Sequence, residues 1–444
     1  MYSYILNKCI LPITDHLLGL TIQRELTAWR RMQWFSRAEL DRIQNKRLYD
    51  LLIHSSKCIP YYRAVSKNID FNQKQNPINM LKQYPLLTKS LIKKNLPDGI
   101  IDPSRKVYFV DYTSGSSGVQ GEFYSDKSAY SKMLAVQCLW WEWAGYRFGD
   151  RMLQTGITPR RGFIKGMKDI LLRVEYASAY QIADKTIEKK LRPLRGTQTW
   201  VFAGYAASLY AYARYTREHG IGDIHLKTAI SWGDKMFSHY RSCIEDQFQT
   251  KVFDCYGTSE GVMIAAQCEE HCYHIMTPHV VIEILGKDGR EVNPGEMGEV
   301  VVTRLDNYLM PLIRYRIGDL AVKSDSAREC PCGRQLPLLE MIVGRNTDLV
   351  YTPKGKTLIV HFFTGVFEAR QEIQQFQIVQ HALEDIEIRY IPSASFTPEC
   401  LDSIKKDIWE KADEKLNVRF TQVSAIGASP SGKPQIIQSK YRRA

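Results

Sequence analysis

From about Leu26 to Ser56, leucine, isoleucine, tryptophan and phenylalanine recur among charged residues at three- and four-residue spacing, a period that predicts amphipathic helices. Pro60, Tyr61 and Tyr62 are expected to end that run. Through the middle of the chain, helical stretches such as Ala206–Glu218 mix with short apolar runs that stop at glycine turns, the pattern of an α/β body. Near residue 280 the period shortens. Val280–Leu285 and Glu299–Thr303 predict strands, with Asp288 and Gly289 as a hairpin turn between them, so a β-rich subdomain is expected there. In the tail, Phe376–Val379 and the alternating Ile386, Ile388 and Tyr390 predict strands. Ile404, Ile408, Ala412 and Leu416 then repeat every four residues and Val418 and Phe420 alternate again, which predicts a small α+β unit starting close to Asp348.

A chain of 444 residues exceeds one ordinary core, and its 44% hydrophobic and 24% charged residues are those of a soluble globular protein. A net charge of +12 fits nucleic acid, an anionic membrane surface or small anionic ligands, and does not choose among them. The stretch from Arg160 to Arg195 concentrates ten of the cations, either as a solvated face or as a contact for an anionic partner. Nothing resembles an aromatic-basic RNA-binding module, so no nucleic-acid partner is expected. The apolar N-terminal patch around Ile10–Ile13 is interrupted by Lys8 and Asp15, well short of the roughly 18 residues of a membrane span. Ten cysteines scattered through so long a chain suggest reduced thiols and a cytoplasmic protein.

Several segments carry candidate chemistry. In Thr113, Ser114, Gly115, Ser116, Ser117 and Gly118, small residues let the backbone turn its amides toward an anion while hydroxyls add donors, although a flexible surface loop has the same composition. No Walker-type loop competes, because Val350 stands where Gly355, Lys356 and Thr357 would need a leading glycine. In Tyr256, Gly257, Thr258, Ser259, Glu260, the tyrosine offers an aromatic face for adenine and Glu260 a hard oxygen for Mg²⁺; a plain turn before an acid is the simpler alternative. Cys268, His271, Cys272 and His274, with Cys330 and Cys332 in a C-x-C, make two clusters of soft ligands that either close a tetrahedral Zn²⁺ site or remain free thiols. Trp140, Trp141 and Trp143 fall in a helical stretch and are expected in the core.

With RYRIGD at Arg314–Asp319, GRNTD at Gly344–Asp348 and SGK at Ser431–Lys433, the loop and the Tyr256 motif stand in an order that resembles the adenylate-forming enzymes, in the branch of phenylacetate–CoA ligases and CapK-type capsule-biosynthesis proteins. The resemblance runs from the PYYR at Pro60–Arg63 to the tail lysine. It implies an α/β fold: a large N-terminal adenylate-forming domain, residues 1–346, of α/β layers plus the β-rich subdomain, and a small mobile α+β domain, residues 347–444. It also implies that Thr113–Gly118 cradle the ATP phosphates, that Asp319 accepts hydrogen bonds from the ribose, that Arg345 meets ribose or phosphate, that Glu260 holds Mg²⁺ and that Lys433 bridges the carboxylate and the α-phosphate during adenylation. Val119, Gln120 and Gly121 stand where the family loop often carries proline and lysine, and Ser259 and Ile317 replace the usual threonines.

The same resemblance places the acyl pocket at Ala203, Gly204, Tyr205 and at Ser231, Trp232, Gly233, and maps a structural zinc onto Cys268, His274, Cys330 and Cys332. The activity implied is activation of a carboxylic acid by Mg·ATP to an acyl-adenylate, followed by transfer to an amine or to the thiol of CoA. The tail SGKPQIIQSKY and the N-terminal TAWRRMQWFSRAEL look closer to CapK, which favours amide formation in surface-polysaccharide synthesis over acyl–CoA synthesis. Expected partners are a small-molecule or sugar carboxylate, an amine or thiol acceptor and, peripherally, a membrane or glycan-assembly enzymes, for a monomer or homodimer.

Overall fold

The computed structural model describes all residues except 1, 72–75, 113–120, 157–161, 180–183, 346–348, 355–356, 368–369, 371, 427–435 and 440–444. The helical period at the N-terminus is realised as Ile22–Met32 and the 22-residue helix Arg37–Cys58. Ser36 opens the latter with a capping box: its hydroxyl accepts from Glu39 N while the Glu39 carboxylate accepts from Ser36 N. That helix stops at Cys58, and after the single extended residue Ile59 Pro60 starts a separate short helix, Pro60–Val65. Proline at the first helical position loses no hydrogen bond, which is why a breaker inside a helix is tolerated as a starter here.

The body is an eleven-stranded mixed sheet with the order Val280–Leu285, Met297–Arg304, Tyr315–Lys323, Leu338–Arg345, Tyr273–Ile275, Met263–Gln267, Val252–Gly257, Thr228–Trp232, Trp200–Tyr205, Arg151–Gly156, Val174–Ser178. The last five of these are mutually parallel, and from Val252–Gly257 onward the pairing with Met263–Gln267 and Tyr273–Ile275 turns antiparallel. Helices cover both faces of the parallel half, so its strands are near-continuous apolar runs sorted by parity. Val201 and Ala203 face a core built with Leu26, Trp29, Leu139, Trp140 and Trp143, whereas Phe202 faces a second core with Leu209, Tyr212, Ile244 and Phe248. Both hairpin strands expected near residue 280 are present, in register Leu285↔Glu299. Their connection holds a tight turn at Gly286–Arg290, with Gly289 at φ +75°, before the chain reaches the second strand.

Contacts divide the chain into two compact units: Met1–Ile317 with Ala321–Met341, and Gly318–Leu320 with Ile342–Ala444. The second contains a four-stranded sheet ordered Asn417–Gln422, Asp385–Pro392, Ile373–Gln380, Ile437–Ser439. Ile404, Ile408 and Ala412 are buried on the helix Glu399–Ala412. The fold is therefore a large α/β unit followed by a small α+β unit.

Candidate active site

The carboxyl ends of the parallel strands lie side by side, the place where open α/β sheets hold their ligands. Tyr205 is level with Trp232, and Trp232 with Cys255, next to Tyr256. Gly233 follows at φ +80°, where a Cβ would stand 2.6 Å from the Tyr205 ring, so only glycine lets these two segments approach. Trp232 stacks on Trp141 with centroids 6.0 Å apart and planes at 19°. Trp140 and Trp143 are core residues, as expected; Trp141 is half-buried and packs against that core beside Trp232. Ser231 is buried and donates to Asp254, which also accepts from Tyr273.

Next to it, the strand Val252–Gly257 shifts register between Tyr256 and Gly257, and the chain turns back through Thr258–Gly261, closed by Thr258 N to Val262 O at 3.0 Å. The Thr258 hydroxyl oxygen is buried without a hydrogen-bond partner. Glu260 is only 7% exposed. Its Oε1 accepts from the Tyr315 hydroxyl at 2.9 Å and lies 3.3 Å from Lys89 Nζ. Asp111 is close enough to feel Glu260: burial first, and the Glu260 charge after it, push the Asp111 carboxyl up to about 6 against the pull of Arg304. Asp111 lies in the strand Phe109–Tyr112, whose pairing with Glu122–Ser125 holds both ends of the segment carrying Thr113–Gly118.

Behind this turn, Arg304 is fully buried. It donates Nε to Asp306 at 2.8 Å and Nη2 to Ala129 O at 2.8 Å. Asp306 also receives His279 Nδ1 at 2.5 Å, and His279 Nε2 accepts from Met263 N at 3.2 Å, which fixes a neutral ring. Burial would raise Asp306, but His279 and Arg304 outweigh it and hold the carboxyl below its ordinary range.

A third cluster lies beside the antiparallel strands. Ligand atoms of Cys268, His274, Cys330 and Cys332 are all within 4.8 Å of one another. Cys268 Sγ is 3.6 Å from Cys330 Sγ, and Cys332 Sγ is 3.3 Å from His274 Nε2. A tetrahedral zinc with Zn–S near 2.3 Å separates two sulfurs by roughly 3.8 Å, so the donors already stand at coordination spacing. His274 Nδ1 faces Leu336 O at 3.3 Å, leaving Nε2 for a metal, and burial lowers the ring to about 4, keeping it neutral. His271 turns away, toward Arg241 Nη1 at 3.3 Å.

Of the remaining expected site residues, Thr113–Gly118 and Lys433 lie outside the described residues, as does the Arg345 side chain. Asp319 is half-buried in Tyr315–Lys323, within the stretch that groups with the C-terminal unit. Lys89, Asp111, Trp141 and the Arg304 triad were not legible as site residues. Only Lys89 leaves a sequence signal: Thr88 caps its helix, and a lysine at the first helical position opposes the dipole unless an anion faces it.

Residues 350–440 match the family described as the CapK C-terminal domain. Protein CapK of Staphylococcus aureus is 24% identical over 409 residues, covering 89% of this chain and 88% of its own length. Phenylacetate-coenzyme A ligase of Thermus thermophilus is 24% identical over 407 residues, covering 87% and 89%. The chain is thus similar along most of its length to CapK and phenylacetate–CoA ligases, and in its C-terminal unit to the CapK C-terminal domain. The fold agrees: a crystal structure of 2-hydroxyisobutyryl-CoA ligase with 2-HIB-AMP superposes with TM-score 0.74 at 19% identity, over 93% of this chain and 92% of that one.

Proposed function

We propose that the protein activates a carboxylic acid with Mg·ATP and transfers the acyl group to an amine in surface-polysaccharide synthesis. The observation that carries this is the Thr258–Gly261 turn at the carboxyl edge of the parallel strands. A buried hydroxyl without a partner stands two residues from a buried carboxylate held by a lysine and a tyrosine, a set of polar groups arranged for an anionic, metal-bearing ligand. In the first step a carboxylate oxygen attacks the α-phosphorus, the bond from that phosphorus to the bridging oxygen breaks, and pyrophosphate leaves. Glu260 would share Mg²⁺ with phosphate oxygens, Thr258 and the Thr113–Gly118 segment would donate to them, and Lys89 would exchange Glu260 for phosphate. Lys433 would meet the charge that builds between carboxylate and α-phosphate, and Asp319 and Arg345 the ribose. In the second step the amine attacks the acyl carbon, AMP departs and the amine loses a proton. Residues 347–444 would rotate as a lid about Thr347 and Asp348 between the steps. Cys268, His274, Cys330 and Cys332 would hold a structural zinc.

CoA is the alternative acceptor, favoured by the phenylacetate–CoA ligase match of nearly the same extent as CapK. Carboxylate-dependent exchange of labelled pyrophosphate into ATP tests the first step, across uronic, amino, aryl and fatty acids. Lys433→Ala is expected to reduce exchange by about 10²- to 10³-fold, the cost of one preorganised charge stabiliser. Exchange unaffected by that substitution would overturn the assignment. Supplying CoA or an amino sugar to the active acid then separates the acceptors.

A further inference from the structure

The N-terminal helical segment carries apolar residues on both of its faces. Its inner face is docked: Leu6 is fully buried, Ile10 and Leu11 pack on the core, and Ser3 Oγ donates to Phe148 O at 2.6 Å. Its outer face is bare, with Tyr4 69%, Ile13 57% and Leu17 77% exposed, and Ile5 and Cys9 exposed between them. The helix Phe163–Leu171 continues this surface. Tyr2 donates its hydroxyl to Leu171 O at 2.5 Å and lies under the Arg173 guanidinium, and the neighbouring Ile170 is 80% exposed, with Met167 exposed one turn away. Cations are interspersed with these side chains: Lys8 on the first helix, Lys165 and Lys168 on the second, all exposed. The carboxylates of the two helices are withdrawn, Asp15 accepting from Gln23 N at 2.8 Å and Asp169 half-buried.

We infer that this apolar and basic surface docks the protein on an anionic phospholipid bilayer. Exposed Leu, Ile and Tyr on a helix lying along the molecule, with Lys between them, are the composition of an interfacial helix, whose apolar side chains enter the acyl boundary while the cations meet phosphates. A second copy of the chain would instead bring Lys8, Lys165 and Lys168 against their own kind. Spanning is excluded by the docked face: Leu26 and Trp29 of the following helix are core residues, and the two helices bend by 118°. Among the described residues no single helix is long and apolar enough to cross a membrane.

The test is sedimentation of the full chain with vesicles of phosphatidylcholine alone or mixed with phosphatidylglycerol. Binding is expected on the mixed vesicles, weaker on phosphatidylcholine, and falling with salt. Leu17→Gln with Ile170→Gln, both on the bare surface, should lower the partition coefficient at least about tenfold, since each side chain loses its transfer from water. Cys9, the one cysteine exposed among the described residues, should be shielded from a water-soluble maleimide only when mixed vesicles are present. Failure to bind mixed vesicles, or equal binding by the double variant, overturns the inference. So does a concentration-dependent dimer that the double variant abolishes, which would assign the surface to self-association.

Discussion

Asp111→Asn should stabilise the N-terminal unit at neutral pH and leave it unchanged in acid. Burial and the Glu260 charge lift the Asp111 carboxyl from its ordinary 3.8 to about 6 in the folded protein. The folded state therefore binds more protons than the unfolded state between those values. Stability contributed by the neutral carboxyl is fully present below pH 3.8 and is lost as pH rises through 6. At about 1.36 kcal/mol per pH unit the full penalty is near 3 kcal/mol, and water reaching a half-buried carboxyl reduces the expectation to about 1–2 kcal/mol. Asparagine keeps the shape and removes the charge. Urea denaturation followed by tryptophan fluorescence reports mainly on the N-terminal unit, because Trp409 is the sole tryptophan beyond residue 341. The advantage of the variant should grow from pH 4 to pH 6 and then level off. A loss of stability at pH 7 would show that Asp111 is held charged by Arg304, and an advantage independent of pH would show that it does not arise from titration of Asp111.

Arg304→Met leaves Asp306 buried with His279 as its remaining partner and should cost about 3–5 kcal/mol in the same denaturation experiment, with Asp306→Asn added in a double variant recovering part of the loss. Cys332→Ser should abolish stoichiometric zinc in elemental analysis and lower the melting temperature; an unchanged metal content would assign the quartet to free thiols. Glu260→Gln should reduce pyrophosphate exchange by about 10²-fold and raise the Mg²⁺ concentration needed for half-maximal rate, whereas an unshifted Mg²⁺ dependence would remove Glu260 from the metal.

Much of the fold was legible because its periods are clean. Val201–Ala203 is a short apolar run that only a strand covered on both faces accepts, and Ile404, Ile408 and Ala412 repeat at one helical turn. Proximity across the chain was not legible. Lys89 meets Glu260 across 171 residues, and Arg304 meets Ala129 O across 175; neither pair has a spacing that a local pattern carries. The cysteine and histidine quartet was legible although Cys268 and Cys330 are 62 residues apart, since soft ligands are rare enough for their clustering to stand out. The bare outer face of the N-terminal helix was not legible either. An apolar residue records a preference for leaving water, and cannot tell whether protein or something else will cover it.

The turn that carries Thr258 and Glu260 grows from the strand at which the sheet changes from parallel to antiparallel, so hydrogen-bonded ladders flank it on both sides. Opening this strand means dismantling two differently built halves at once. Amide protons of Phe253–Tyr256 should therefore exchange with solvent only through unfolding of the whole N-terminal unit. Fluctuation in the site is then confined to side chains such as Lys89, while the backbone beneath them keeps time with the slowest motion of the unit.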